Sequence, residues 1–362
     1  MMQFAYNNSC ANKHYIHLII ISILILIVPA TIRDVSVGTD VRVYQIPVLR
    51  KVYLFQDYIS YYNNTKWNVN DRLYLILVYL CGKIFHSIHA LFFFEELLVL
   101  VPIYYVVWKC RKWINPVYSL MAYECLFYIE TYNVIRQNIA ISFFVLAFYF
   151  YFTNQPFYKY LIWNIMAVGM HQSAIIFPVF PFLLKITEIK SKRNKRYLIG
   201  IIIALIVTVS FYYKPILRAI LSILSFFPSR YSGKRYLSIA EQNFPTMDIV
   251  FTIFGIVIVF LARRAEEREQ RHEWLLLMNY IVLSACYFTS MAEFGSRILW
   301  YFKIFNIFSY GYITSLFKDN SLNRTICFIV MFSFLSFYWI YIYYICGSAG
   351  IFPYEVAEIF KL

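Results

Sequence analysis

Ile326 to Ile345 contains no charged residue. Neither does Ile16 to Val28, which reads IHLIIISILILIV, nor Ile201 to Val209. Such blocks recur at roughly 16 to 22 residues between charged clusters, close to the ~20 that a bilayer-crossing helix needs. A backbone amide in hydrocarbon finds no water, so each block must satisfy its own hydrogen bonds, and a helix does so. The short alternating segments of an outer-membrane barrel are absent. The expected fold is therefore an all-α polytopic membrane protein. Composition agrees: 61% of the 362 residues are hydrophobic and 14% charged, against about 25% charged in a typical soluble chain.

The net charge of +14 could suggest a nucleic-acid partner. In a chain of this hydropathy the excess Lys and Arg serves instead to orient helices across the bilayer, and no nucleic acid is expected. The seven cysteines form no CxxC pair and no metal-ligand spacing, so neither a disulfide framework, a metal nor another cofactor is expected. Aromatics reach 21%, more than interfacial belts require. Packing and lipid contact account for most of them, and some Tyr and Trp are expected to line a polar cavity. Lys13 before the first apolar run, with Val28-Pro29-Ala30 after it, resembles a secretory signal. The run is longer than a signal core and many more follow, which favours an uncleaved first span.

Basic clusters set the expected orientation. Lys109, Arg111 and Lys112; Lys185 through Arg196; Arg263, Arg264, Arg268 and Arg271; and Lys318 with Arg324 are read as cytoplasmic. Span 1, at about 15–31, then exits outward, and 32–87 lies outside with mixed charges. Within it, 73–86 reads as an amphipathic or re-entrant surface helix. The remaining spans fall at about 88–108, 117–132, 137–153, 158–170, 173–184, 197–213, 247–262, 274–291, 298–317 and 325–346. That makes about eleven, or nine if 117–153 and 157–184 are each one tilted helix. The short pieces 158–170 and 173–184 also read as half-helices meeting at His171. The whole chain, 1–362, reads as one transmembrane domain with outer segments at 32–87 and 214–246. The polar residues that orientation does not require collect on the outer face.

Four short motifs lie on that face. VGTDVRVY contains Gly38, Thr39, Asp40 and Tyr44; IRQNIA contains Arg136, Gln137 and Asn138; HQSA starts at His171; RILWYF runs from Arg297 through Tyr301 to Phe302. In this order, over roughly 30 to 345, the sequence resembles the EpsG family, which includes exopolysaccharide-synthesis proteins and Wzy-like O-antigen polymerases. Such proteins often carry Glu-Pro ahead of the tyrosine of the surface helix. Here the sequence is Asp71-Arg72-Leu73-Tyr74, with Asp71 the candidate substitute. The resemblance implies polymerisation of undecaprenyl-pyrophosphate-linked oligosaccharide units at the outer face of a bacterial cytoplasmic (inner) membrane. It also implies, by analogy, a GT-C-like arrangement. Membrane lipid and a chain-length regulator protein are the further expected partners, and the product is O-antigen of lipopolysaccharide, capsule or exopolysaccharide.

Such a transfer needs a cation for the leaving pyrophosphate, a base for the acceptor hydroxyl, and a groove for sugars. Arginine suits the first because its planar fork donates two bonds and stays charged. Arg136 is the first candidate, since a charge between apolar stretches is costly; snorkelling or pairing with Glu130 is its structural alternative. His171 and Asp40 are the candidate bases, with a hydrogen-bonded structural role competing at each. Arg33, Gln137, Arg297, Tyr301, Arg230 and Arg235 are the candidate substrate-binding residues. For Arg33 the competing role is an interfacial anchor, for Arg297 an ion pair with Glu293, and for the 214–246 loop a surface touching anionic lipid. Glu95 and Glu96 lie inside a span, and at least one is expected to face the bundle. The alternatives in function are a lipid-linked oligosaccharide flippase, a transferase using a polyprenyl-phosphate sugar, and an O-antigen ligase or membrane acyltransferase.

Overall fold

A computed structural model describes residues 9–66, 69, 71–224, 246–265, 269–291, 293–312 and 321–361. Among them every regular element is helical, apart from one isolated antiparallel bridge between Arg33 and Val356. Three described helical stretches, Ile88–Lys112, Ile135–Phe152 and Thr325–Ile345, are long and apolar enough to cross a bilayer. Ile19–Ile32, Gln172–Thr187, Thr246–Leu261 and Glu273–Ala285 are shorter apolar helices. The chain divides into two compact units. One comprises Met1–Lys109, Cys125–Gln172 and Trp339–Leu362, the other Cys110–Glu124 and Ser173–Tyr338.

The first unit is built on α1 (Ser9–Ile32), α2 (Ile46–Val52), α3 (Tyr58–Thr65), α4 (Arg72–Phe85), α5 (Ile88–Lys109), α7 (Ile135–Phe152) and α8 (Phe157–Met170). Helix α7 is its centre, burying Ile139, Ala140, Phe143, Phe144 and Ala147 between α5 and α8. Beyond its polar first turn it is almost wholly apolar, and most of its length is buried. Helix α4 buries Tyr74, Leu75, Val78 and Cys81 and exposes Ile76, Leu80 and Ile84, so both of its faces are apolar. It ends at His86, which adopts the left-handed conformation (φ 51°), and Ser87 Oγ then accepts the His89 amide to open α5. A side chain at Gly169 could not fit: its Cβ would stand 2.5 Å from Leu73, so the glycine sets the approach of α8 to α4.

The second unit contains α6 (Pro116–Leu126, up to Glu124), α9 (Val179–Thr187), α10 (Lys192–Leu224), α11 (Thr246–Ala265), α12 (Glu269–Met291), α13 (Glu293–Lys303), α14 (Asn306–Gly311) and α15 (Ser321–Trp339, up to Tyr338). Helix α12 packs against α9, α10, α11, α13 and α14. Its buried Asn279 bonds Ser309 Oγ at 2.9 Å, and Lys195 pairs with Glu273 at its cytoplasm-facing start in the sequence-based orientation.

Three expectations about helix extent change. The stretch 117–132 is not one helix: α6 stops at Leu126 and Tyr128–Tyr132 forms a 3₁₀ turn. Side chains hold that turn, with Thr131 donating back to the Tyr128 carbonyl at 2.6 Å and Tyr128 to that of Leu26 at 2.6 Å. The stretch 298–317 breaks after Lys303, which pairs with Asp248 at 2.5 Å. Helix α10 runs on to Leu224, into the stretch read as an outer loop, because Ile216, Leu217, Ile220, Leu221 and Leu224 continue an apolar helical pattern.

Candidate active site

Arg136 stands in the first turn of α7, whose N-cap is Val134. Valine has no side-chain acceptor for the first-turn amides, so that end of the helix is suited to an external anion. The Arg136 side chain is 16% exposed and its Nη1 lies 2.6 Å from Asp71 Oδ2. The partner is thus Asp71 rather than Glu130, whose carboxylate meets Ser348 instead. The Arg136 guanidinium also lies over two aromatic rings, Tyr44 at 5.1 Å and Tyr74 at 5.8 Å.

Asp71 does more than neutralise one arginine. Its other oxygen accepts the Gln172 amide at 3.3 Å, and Asp71 itself precedes the first residue of α4. One buried carboxylate therefore joins the start of α4, the start of α7 and the HQ bend. At that bend α8 ends: His171 is extended (φ −156°, ψ 127°), its amide bonds the Ala167 carbonyl at 2.9 Å, and the residue is buried.

Asp40 is held in a second junction of the same unit. Asn133 Oδ1 accepts from Thr39 Oγ1 at 2.6 Å and from the Asp40 amide at 3.0 Å. Gly38 sits at φ +92° and donates to the Gly350 carbonyl at 3.0 Å. Asn133 lies just ahead of α7, so the GTD and RQN motifs meet through it. Asp34, nearby in sequence, accepts the Ser36 amide at 2.8 Å, and this bond holds its carboxyl below the usual carboxylate range.

Beneath these residues lies a buried charge cluster. Glu95 and Glu96 on α5 are each 1% exposed. Glu95 receives Gln45 Nε2 at 3.0 and 2.9 Å and the Tyr74 hydroxyl at 2.9 Å. Glu96 receives the Thr131 hydroxyl at 3.2 Å. Arg33, also 1% exposed, lies within electrostatic reach of both carboxyls. Its guanidinium is enclosed between Phe92 at 4.1 Å and Tyr132 at 4.5 Å, and its Nε and Nη1 have no hydrogen-bond partner among the described residues. Arg33 therefore occupies the interior of the unit, unlike the interfacial or substrate-facing arginine the sequence suggests. The tail reaches it: the Asp34 amide bonds the Glu355 carbonyl at 2.8 Å and the Ala357 amide bonds that of Ile32 at 2.9 Å.

Gln137 is buried in α7 beside Arg136. Arg297 and Tyr301 lie on α13 in the second unit, where the fully buried Tyr301 hydroxyl meets Ser173 Oγ at 3.1 Å. Arg230 and Arg235 fall outside the described residues. Sequence reasoning passed over Tyr74 and Gln45 and gave Asp71 only a substitute's part. The signal was present for Asp71, a carboxylate directly ahead of an apolar helix, but its partner lies far along the chain. Among the described residues no group of three or more His, Cys, Asp or Glu is arranged to hold a metal ion.

Comparison with curated proteins and with solved structures returns no match. The sequence pattern of the EpsG family matches residues 16–356, nearly the whole chain. With apolar helices of bilayer length in its fold, this chain is a membrane protein and belongs to the EpsG family, a Wzy-like polymerase family.

Proposed function

We propose that the chain polymerises undecaprenyl-pyrophosphate-linked oligosaccharide units at the outer face of the bacterial cytoplasmic membrane. A hydroxyl of the incoming unit attacks the anomeric carbon of the growing chain. The new glycosidic C–O bond forms as the bond to pyrophosphate breaks, and the lipid pyrophosphate leaves with the electron pair. Arg136 and the first-turn amides of α7 stabilise that charge. His171, with Asp40 as the other candidate, takes the hydroxyl proton. The observation that carries this reading is the Asp71 carboxylate, which takes Arg136 on one oxygen and the Gln172 amide beside His171 on the other. It supplies a reason for an arginine and a histidine-bearing bend to share one place. Membrane lipid is the solvent of the donor, and a chain-length regulator is the protein partner this role calls for.

Deletion of the gene tests the reading. Long polymer should disappear while single repeat units still reach their final acceptor, as gel profiles of the glycan would show. Loss of the single units as well would indicate a flippase or an earlier transferase instead.

Orientation has its own test. An enzyme reporter that works only outside the cytoplasm should be active when fused after Lys234, and inactive after Lys192 or Arg268. Lys234 and Arg268 lie outside the described residues, so the expectation rests on the basic clusters alone. An active fusion at Arg268 would reverse the assignment of faces.

A further inference from the structure

The buried carboxylate of Glu95 remains without a part in the reaction above. Burying a charge inside an apolar helix is costly unless it is bonded and put to use. The bonds Glu95 makes are specific. Gln45 donates to both of its oxygens at 3.0 and 2.9 Å, and Tyr74 donates to Oε1 at 2.9 Å.

These two partners have one thing in common. Tyr74 is itself one of the two rings over the Arg136 guanidinium, and Gln45 directly follows Tyr44, the other ring. Tyr74 also stands one helical turn from Asp71, which pairs with Arg136. Glu95 thus ties the π-helical turn Val41–Gln45 and the start of α4 together, and both segments bear on Arg136. Tyr74 is fully buried, so no substrate reaches it or Glu95.

We infer that Glu95 is a positioning residue: through Gln45 and Tyr74 it fixes the two-ring seat and carboxylate partner that aim the Arg136 guanidinium. The inference rests on the proposed role of Arg136 for its catalytic consequence, though not for its geometry. Gln45 and Tyr74, not Arg33, make the hydrogen bonds that Glu95 accepts among the described residues.

Glu95→Gln is the informative variant. The amide keeps the shape, can still accept from Tyr74, and can offer its NH₂ to Gln45 Oε1, which has no partner among the described residues. Folding should survive while the charge and its ordering effect are lost. With purified protein and the lipid-linked unit extracted from the deletion strain, kcat should fall about tenfold, the scale of one charge-assisted bond, with KM unchanged. Tyr74→Phe, which removes only the hydroxyl, should give a similar loss. In an Arg136→Lys background Glu95→Gln should have little further effect, because the aimed fork is already gone. Independent, additive losses would overturn the inference, and so would a wild-type kcat for Glu95→Gln.

The same pair of substitutions measured by thermal melting separates this inference from the proposed function. Non-additive melting shifts are expected whatever reaction the chain performs. Additive shifts would sink the positioning role even in an active polymerase. Coupled shifts in a chain that forms no polymer would leave the geometry standing and discard the polymerase reading.

Discussion

Arg136→Lys is expected to slow polymer formation by about tenfold to a hundredfold at normal membrane abundance. A charge-assisted hydrogen bond contributes about 1.5 to 3 kcal/mol, and about 1.4 kcal/mol is tenfold in rate. Lysine keeps the charge and loses the fork. It can hold Asp71 or an incoming phosphate oxygen as a point charge, but it cannot bond one while presenting a second donor in a fixed plane. Its ammonium would also sit differently over the Tyr44 and Tyr74 rings, which the guanidinium carbon faces at 5.1 and 5.8 Å. Arg136→Ala should be worse, because Asp71 is then left buried without its cation as well. Polymer length and rate per unit of inserted protein decide the matter. A snorkelling arginine would tolerate lysine, so wild-type chain lengths from that variant would end the pyrophosphate role.

Gly38→Ala is expected to cost about 2 to 5 kcal/mol of stability, from backbone strain and overpacking together. At φ +92° a side chain is strained wherever it points, and here the Cβ would also stand 2.1 Å from the Tyr132 carbonyl oxygen. Backbone cannot move aside as a flexible side chain can. Two other glycines provide the scale. Gly347 has φ +63° but open space around its Cβ, so alanine there should bear only the conformational strain of about 1 to 2 kcal/mol. Gly200 lies in α10 with open space and a helical backbone, and alanine there should be neutral or slightly stabilising. Melting temperatures in one detergent should rank the three variants in that order. Equal shifts at Gly38 and Gly347 would show that the Tyr132 contact carries no weight.

Much of the helical order was legible because apolar blocks and basic clusters are local signals. The reading of 88–108 became Ile88–Lys109, 158–170 became Phe157–Met170, and 73–86 became Arg72–Phe85. The interruptions were less legible. Neither Phe127 nor Ile304 resembles a helix breaker; the helices stop there because Thr131, Tyr128 and Lys303 find partners from other parts of the chain. The same physics separates the legible from the hidden parts of the candidate site. Arg136 stood out as a charge amid apolar residues. Its partner did not, since Asp71 is 65 positions away and Glu130 is the nearer acid in sequence. Arg33 looked interfacial because it follows an apolar run, yet the return of residues 355–357 to its backbone encloses it. Periodicity carries no record of which distant segment closes over a given residue.

That return has a consequence in time. The first unit is discontinuous in sequence: the Ser36 hydroxyl donates to the carboxylate of Glu355, 319 residues further on. At about 5 to 20 residues per second a ribosome needs roughly 16 to 64 s to make the intervening chain. Throughout that interval α1 is already synthesised, α5 follows early in it, and the backbone beside Arg33 has no strand partner. The intervening helices of the second unit must be laid down before the last contacts of the first can form. Assembly of the enclosed arginine therefore cannot precede synthesis of residues 355–357, and the acidic pair on α5 must be tolerated by the insertion machinery before its surroundings are complete.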